Sequence, residues 1–125
     1  MNRSDFDRYI AESYSIDREY TFGDTSTAVY RHPSSRKWFA IVMNIPKRCL
    51  GLGGEERIDV VNLKCDPNII PDLVREEGIY PAYHMNKTHW ISVLLDSTKD
   101  ADTLRWLLDI SYKLTDSKRK KDENN

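Results

Sequence analysis

Between residues 80 and 96, His84, Asn86, Lys87, His89 and Trp90 crowd one polar segment that runs straight into an apolar strand. Two histidines flanking a short turn suit a metal ion, a proton relay or recognition of an anion at low pH. Two cysteines, Cys49 and Cys65, widen the choice, because a thiol beside His84 would be a candidate nucleophile. The spacing argues against each of these chemistries. The compact CxxC and HxxxH patterns of metal sites are missing, and no carboxylate pair stands beside the histidines. No nucleophile elbow and no recognisable Ser-His-Asp arrangement occurs. The sequence therefore assigns no catalytic residue, no metal and no cofactor, and a non-enzymatic protein is expected. His84 and His89 read first as structural turn residues that bond the local backbone. Trp90 reads as core, although an exposed tryptophan there would stack a base.

The elements that must position these residues follow from periodicity and punctuation. Residues 4–15 read as a helix capped by Ser4, with Phe6, Tyr9, Ile10 and Tyr14 on one stripe. Residues 27–31 and 37–45 read as strands of a hairpin joined by His32, Pro33, Ser34, Ser35 and Arg36. Alternation in the second strand puts Phe39, Ile41, Met43 and Ile45 on one face and Trp38, Ala40 and Val42 on the other. The turn after Pro46 carries Gly51, Gly53 and Gly54 but no phosphate-cradling motif. Residues 57–64 form a third strand. Asp66 and Pro67 open a second helix that Gly78 closes, with Pro71 interrupting its first turns. A short strand over 81–84 and a longer one over 90–96 make a second hairpin with its tip at 85–88. Asp100 then caps a last helix with a stripe of Ala101, Leu104, Leu107, Leu108, Ser111 and Leu114.

With 125 residues, 39% of them hydrophobic and 31% charged, the chain fits one soluble domain over residues 1–115 with a disordered charged tail at 116–125. Two cysteines cannot make a disulfide framework, and neither a signal peptide nor a membrane-spanning run is evident, so a cytoplasmic protein is expected. The net charge of −1 argues against strong global attraction to nucleic acid. Its distribution is uneven, however. Residues 1–30 hold three basic and six acidic side chains, whereas residues 31–64 hold seven basic and three acidic ones. Such segregation permits a local basic face.

Asn62-Leu63-Lys64-Cys65-Asp66-Pro67 and the run from Pro81 to Trp90 resemble the MmcQ/YjbR family. Agreement extends to Phe22-Gly23-Asp24, Val29-Tyr30, Phe39-Ala40 and Ser111-Tyr112, so it spans nearly the whole chain before the tail. The resemblance implies an α+β fold, a two-layer sandwich whose antiparallel sheet of about five strands carries its helices on one side. That shape is similar to those of type III secretion chaperones and frataxin-like proteins. It also implies DNA binding through a "double wing" of two hairpin tips. Ala82 stands where glycine is common, Thr88 where a basic residue is common, and Pro71 lies inside the second helix.

Under that reading Arg31, Arg36 and Lys37 flank the first wing, His84, Asn86, Lys87 and His89 surround the second, and Lys64 extends the basic face. Lysine and arginine would meet phosphates of double-stranded DNA, and asparagine a phosphate or base edge. The alternative is a protein- or peptide-interaction module, which needs an exposed apolar patch around Trp38, Trp90 or Trp106. A monomer is favoured, with no membrane partner.

Overall fold

The computed structural model describes residues 1–96 and 100–116. The charged tail assigned from sequence lies outside these residues except for Asp116. The elements in chain order are α1 (Arg3–Tyr14), β1 (Ala28–Arg31), β2 (Trp38–Pro46), a 3-10 turn (Lys47–Leu50), β3 (Arg57–Lys64), α2 (Ile70–Leu73), β4 (Ile79–Pro81), β5 (Trp90–Leu94) and α3 (Ala101–Leu114). The five strands form one antiparallel sheet in the order β1-β2-β3-β5-β4. The expected α+β architecture is therefore present.

Alternation sorts each strand between two environments. Tyr30, Ala40, Val42, Val61, Leu63, Ile91 and Val93 join Phe6 and Ile10 of α1 and Leu104, Leu107 and Leu108 of α3 in the main core. Val29, Ile41 and Val60 fall on the other face and are nonetheless buried. The last helix keeps its expected cap, with Asp102 N donating to Asp100 Oδ1 at 2.8 Å. Leu114 and Trp106 of that helix stay exposed.

Four local expectations are corrected. Helix α1 is capped by Asn2 and not Ser4. Asn2 Oδ1 accepts from Asp5 N at 2.8 Å, and Asn2 N donates to Asp5 Oδ2 at 3.3 Å, a reciprocal capping box. The second helix shrinks to the single turn of α2, because Pro71 has no N–H to extend it and a turn over 67–69 precedes it. Gly78 does close this region in the left-handed conformation, with φ at 87°.

The faces of β2 are also redistributed. The β1–β2 register shifts between Tyr30 and Arg31, so that Tyr30 pairs with Ala40 and Arg31 with Trp38. Phe39 is the extra residue of this bulge. It turns towards the helices and packs on Tyr14 and Tyr112, while Trp38 joins Ile41 and Met43 on the opposite, open face. Finally, β4 covers Ile79–Pro81 and not residues 81–84, so the β4–β5 connection has eight residues instead of a four-residue tip. Side chains from the sheet cause that shortening, as described next.

Candidate nucleic-acid interface

Antiparallel order puts the β1–β2 connection, the end of β3 and the β4–β5 connection at one end of the sheet. Across this end, on the open face, Arg31 pairs with Trp38 and Lys64 with Trp90. Four adjacent strands thus present an alternating row of cation and aromatic ring. Trp38 and Trp90 are both half-buried, so neither is a pure core residue.

The first connection holds its arginines firmly. Arg36 adopts a positive φ of 64°, and its guanidinium bonds Glu19 Oε1 at 2.9 Å. Arg31 lies 3.7 Å from the same carboxylate and stacks 5.5 Å over the Trp38 ring. One carboxylate thus offsets both cations. Lys37 has no carboxylate partner among the described residues.

His32 was read from sequence only as a turn former, and it is buried at 4% exposure. Its Nε2 lies 2.8 Å from Thr115 Oγ1, whose own hydroxyl donates to Ser111 O at 2.8 Å. The network therefore puts the imidazole proton on Nε2. Burial lowers the His32 pKa from its ordinary 6.5, aided by Lys37 and opposed by Asp116 and the Tyr112 carbonyl. The unfolded chain then binds more protons than the fold over the window below pH 6.5. Stability from neutral His32 is complete above that window and is lost as pH falls through it. Thermal melts from pH 7.5 to 5 are expected to decline more steeply for wild type than for His32→Asn. Equal slopes would contradict this assignment.

The second connection does not project from the sheet. Asn62 and Ser92, paired across β3 and β5, face the open side, where Ser92 Oγ donates to Asn62 Oδ1 at 2.5 Å. Asn62 Nδ2 donates to Tyr83 O at 2.8 Å, and Tyr83 N donates to Ser92 Oγ at 2.9 Å. The two buried side chains thereby take Tyr83 out of the strand ladder and draw the loop over the sheet. Two stretches that carried the family resemblance are joined by this network.

Within the loop, Asn86 is a turn former. Its Oδ1 accepts from Thr88 N at 2.8 Å, and its carbonyl accepts from Trp90 N at 2.9 Å. His84 takes a positive φ of 58° and stacks on Tyr83, with ring centroids 3.9 Å apart. His89 is exposed, and its carbonyl accepts from Cys65 N at 2.8 Å. Lys87 is exposed, without a carboxylate partner among the described residues. Beside the loop an open groove of about 490 Å³ is lined by Phe22, Thr27, Trp38, Ile41, Met43, Asn62, Tyr83, His84 and Met85. Phe22 meets Trp38 edge to face at 5.8 Å.

The basic side chains at the opposite end of the sheet are held by carboxylates or by hydrogen bonds. At the opposite end Lys47 meets Glu56 at 3.1 Å, Arg48 meets Glu55 at 3.1 Å, and Arg57 bonds the Asn44 side chain and carbonyl at 2.7 Å each. Of the five lysines among the described residues, Lys47 and Lys113 have carboxylate partners. Lys37, Lys64 and Lys87 have none there; Lys37 and Lys64 stand at the strand ends just described, and Lys87 lies in the β4–β5 connection, beside Cys49 and Leu50. These three are legible as basic residues in the sequence, whereas the roles of Asn62, Ser92 and the rings of Phe22 and Tyr83 depend on contacts between separate segments.

Among the described residues no group of three or more histidines, cysteines and acids could hold a metal ion. Cys65 is buried, and burial pushes its thiol upward, which keeps it protonated at neutral pH. Burial and the neighbouring Cys49 thiol both raise the Tyr83 phenol. No described helix is long and apolar enough to cross a membrane.

The YjbR family model matches residues 11–114. The chain is 37% identical to protein YyaQ of Bacillus subtilis (strain 168) over 116 residues, covering 92% of this chain and 98% of that one. It is 33% identical to protein YjbR of Escherichia coli (strain K12) over 72 residues, covering 52% and 60% of the two chains. A crystal structure from Pseudomonas syringae superposes with a TM-score of 0.89 at 40% identity, covering 92% of this chain and 99% of that one. Deinococcus radiodurans protein DR2400 gives a TM-score of 0.71 at 28% identity, covering 94% and 81%.

Proposed function

The chain belongs to the YjbR family, and we propose that it is a non-enzymatic, cytoplasmic nucleic-acid-binding module using the end of its sheet where the β1–β2 and β4–β5 connections meet β3. One observation carries this reading: Lys37 and Lys64 at that end, and Lys87 in the β4–β5 connection that starts and finishes there, have no carboxylate partner among the described residues. Phosphate contacts of this kind give weak, non-specific affinity with strong dependence on salt. Arg31 and Arg36 contribute less than their number suggests, because Glu19 offsets them. Asn86 holds the turn through its side-chain oxygen, which leaves its Nδ2 to donate to a phosphate or a base edge.

Three phosphate contacts predict that affinity for labelled DNA falls roughly 40-fold for a duplex and roughly 20-fold for a single strand between 50 and 200 mM salt. Each of Lys37→Ala, Lys64→Ala and Lys87→Ala should reduce the salt slope by about one. Fluorescence anisotropy measures both effects. No binding at low salt, or binding indifferent to salt and to all three substitutions, would reject the reading.

A protein-partner module is the second reading, favoured by the apolar lining of the groove and by Phe22, which is 56% exposed. Apolar docking would survive high salt, so the same titration separates the two.

A further inference from the structure

We propose that the nucleic acid taken by this face is single-stranded, with bases stacked on Trp38 and Trp90 and phosphates on Lys37, Lys64 and Lys87. This rests on the nucleic-acid reading above and deepens it. A duplex hides its base faces in its own stack, so it can use the lysines but not the rings. A single strand can use both, because every base has a flat face and stacking tolerates any sequence.

The geometry favours the second case in three respects. The row Arg31, Trp38, Lys64 and Trp90 alternates charge with ring across four strands on the side of the sheet opposite α1 and α3. Trp38 and Trp90 stand two strands apart, roughly 10 Å at ordinary strand spacing, which suits splayed bases. The second hairpin connection, pinned by Asn62 and Ser92, lies over the sheet and does not extend as a wing for a duplex groove. The stacked rings of Tyr83 and His84 border the groove beside that row and enlarge the aromatic platform. Lysines without carboxylate partners among the described residues, beside these rings, supply the charge complementarity that selects an anionic polymer over an apolar peptide.

The test compares a labelled mixed-sequence 12-nucleotide single strand, its duplex, and an abasic strand of equal length at low salt. The Trp106→Phe protein serves as background, because Trp106 sits exposed on α3, away from this face. Tighter binding of the single strand by tenfold or more, with quenching of the remaining tryptophan emission, is expected. The abasic strand should bind no better than the duplex. Trp38→Ala should weaken single-strand binding by roughly tenfold or more while leaving duplex binding unchanged. Quenching needs no substitution at the site, so it decides the matter if Trp38→Ala does not fold. Equal or tighter duplex binding, or single-strand binding without quenching, would overturn the inference and leave the nucleic-acid reading standing. Binding of none of the three would overturn both.

Discussion

Replacing Ser111 with alanine is expected to destabilise the protein by about 2–4 kcal/mol, although it removes one oxygen atom from a helix. Ser111 Oγ donates to Phe39 O at 2.6 Å and accepts from Lys64 N at 2.8 Å. Phe39 is the extra residue of the β2 bulge, whose backbone is not fully paired within the ladder. Lys64 N stands at the end of β3. Alanine would leave both backbone groups buried without a partner, each costing about 1–3 kcal/mol. The substitution should therefore lower Tm by about 10 °C. It should also loosen the strand ends that carry Trp38 and Lys64. Urea denaturation measures the free energy, and a change below about 0.5 kcal/mol would show that the hydroxyl is not needed there.

Asn62→Leu is expected to cost about 2–3 kcal/mol for a related reason, with a local effect on the proposed face. The leucine side chain has a similar shape but cannot donate to Tyr83 O or accept from Ser92 Oγ. The loop over residues 82–89 would lose its side-chain link through Asn62, keeping the bonds from Tyr83 N to Ser92 and from Cys65 N to the His89 carbonyl. Hydrogen exchange at Tyr83, Thr88 and Trp90 should quicken more than exchange at Val42 or Leu107. Uniform change, or none, would mean that the loop is held by its own turn and not by Asn62.

These two residues show what was and was not legible in the sequence. Repeating apolar positions gave β3 its boundaries and put Leu104, Leu107 and Leu108 on the buried stripe of α3. Asn86 was legible as a turn former because Asx turns are local. The faces of β2 were not. A single bulge exchanges Phe39 and Trp38, and nothing in an alternating apolar run shows where an extra residue enters. Helix capping went to Asn2 and not Ser4, within the usual error of one or two residues at a helix end.

Side chains that bond across the fold were the least legible. His32 sits in a turn-rich stretch, yet the Thr115 hydroxyl, 83 residues away, accepts its hydrogen bond and Phe39 and Tyr112 pack on it. Counting charge along the chain suggested a basic region over residues 31–64. In three dimensions Glu19, from outside that region, offsets Arg31 and Arg36, while Glu56 and Glu55 pair with Lys47 and Arg48. Within that region Lys37 and Lys64 keep no carboxylate partner among the described residues, and Arg57 bonds Asn44 instead of an acid.

Amide chemical-shift mapping by NMR tests the central claim most directly, with the protein titrated at low salt by single-stranded and duplex DNA of one sequence. Shifts should cluster at residues 31–38, 62–64 and 83–90, follow one saturable curve, and shrink as salt rises. The amides around Trp106 on α3 should stay still. Shifts centred on α1 and α3, or no shifts with either form of DNA, would contradict a nucleic-acid-binding face at this end of the sheet.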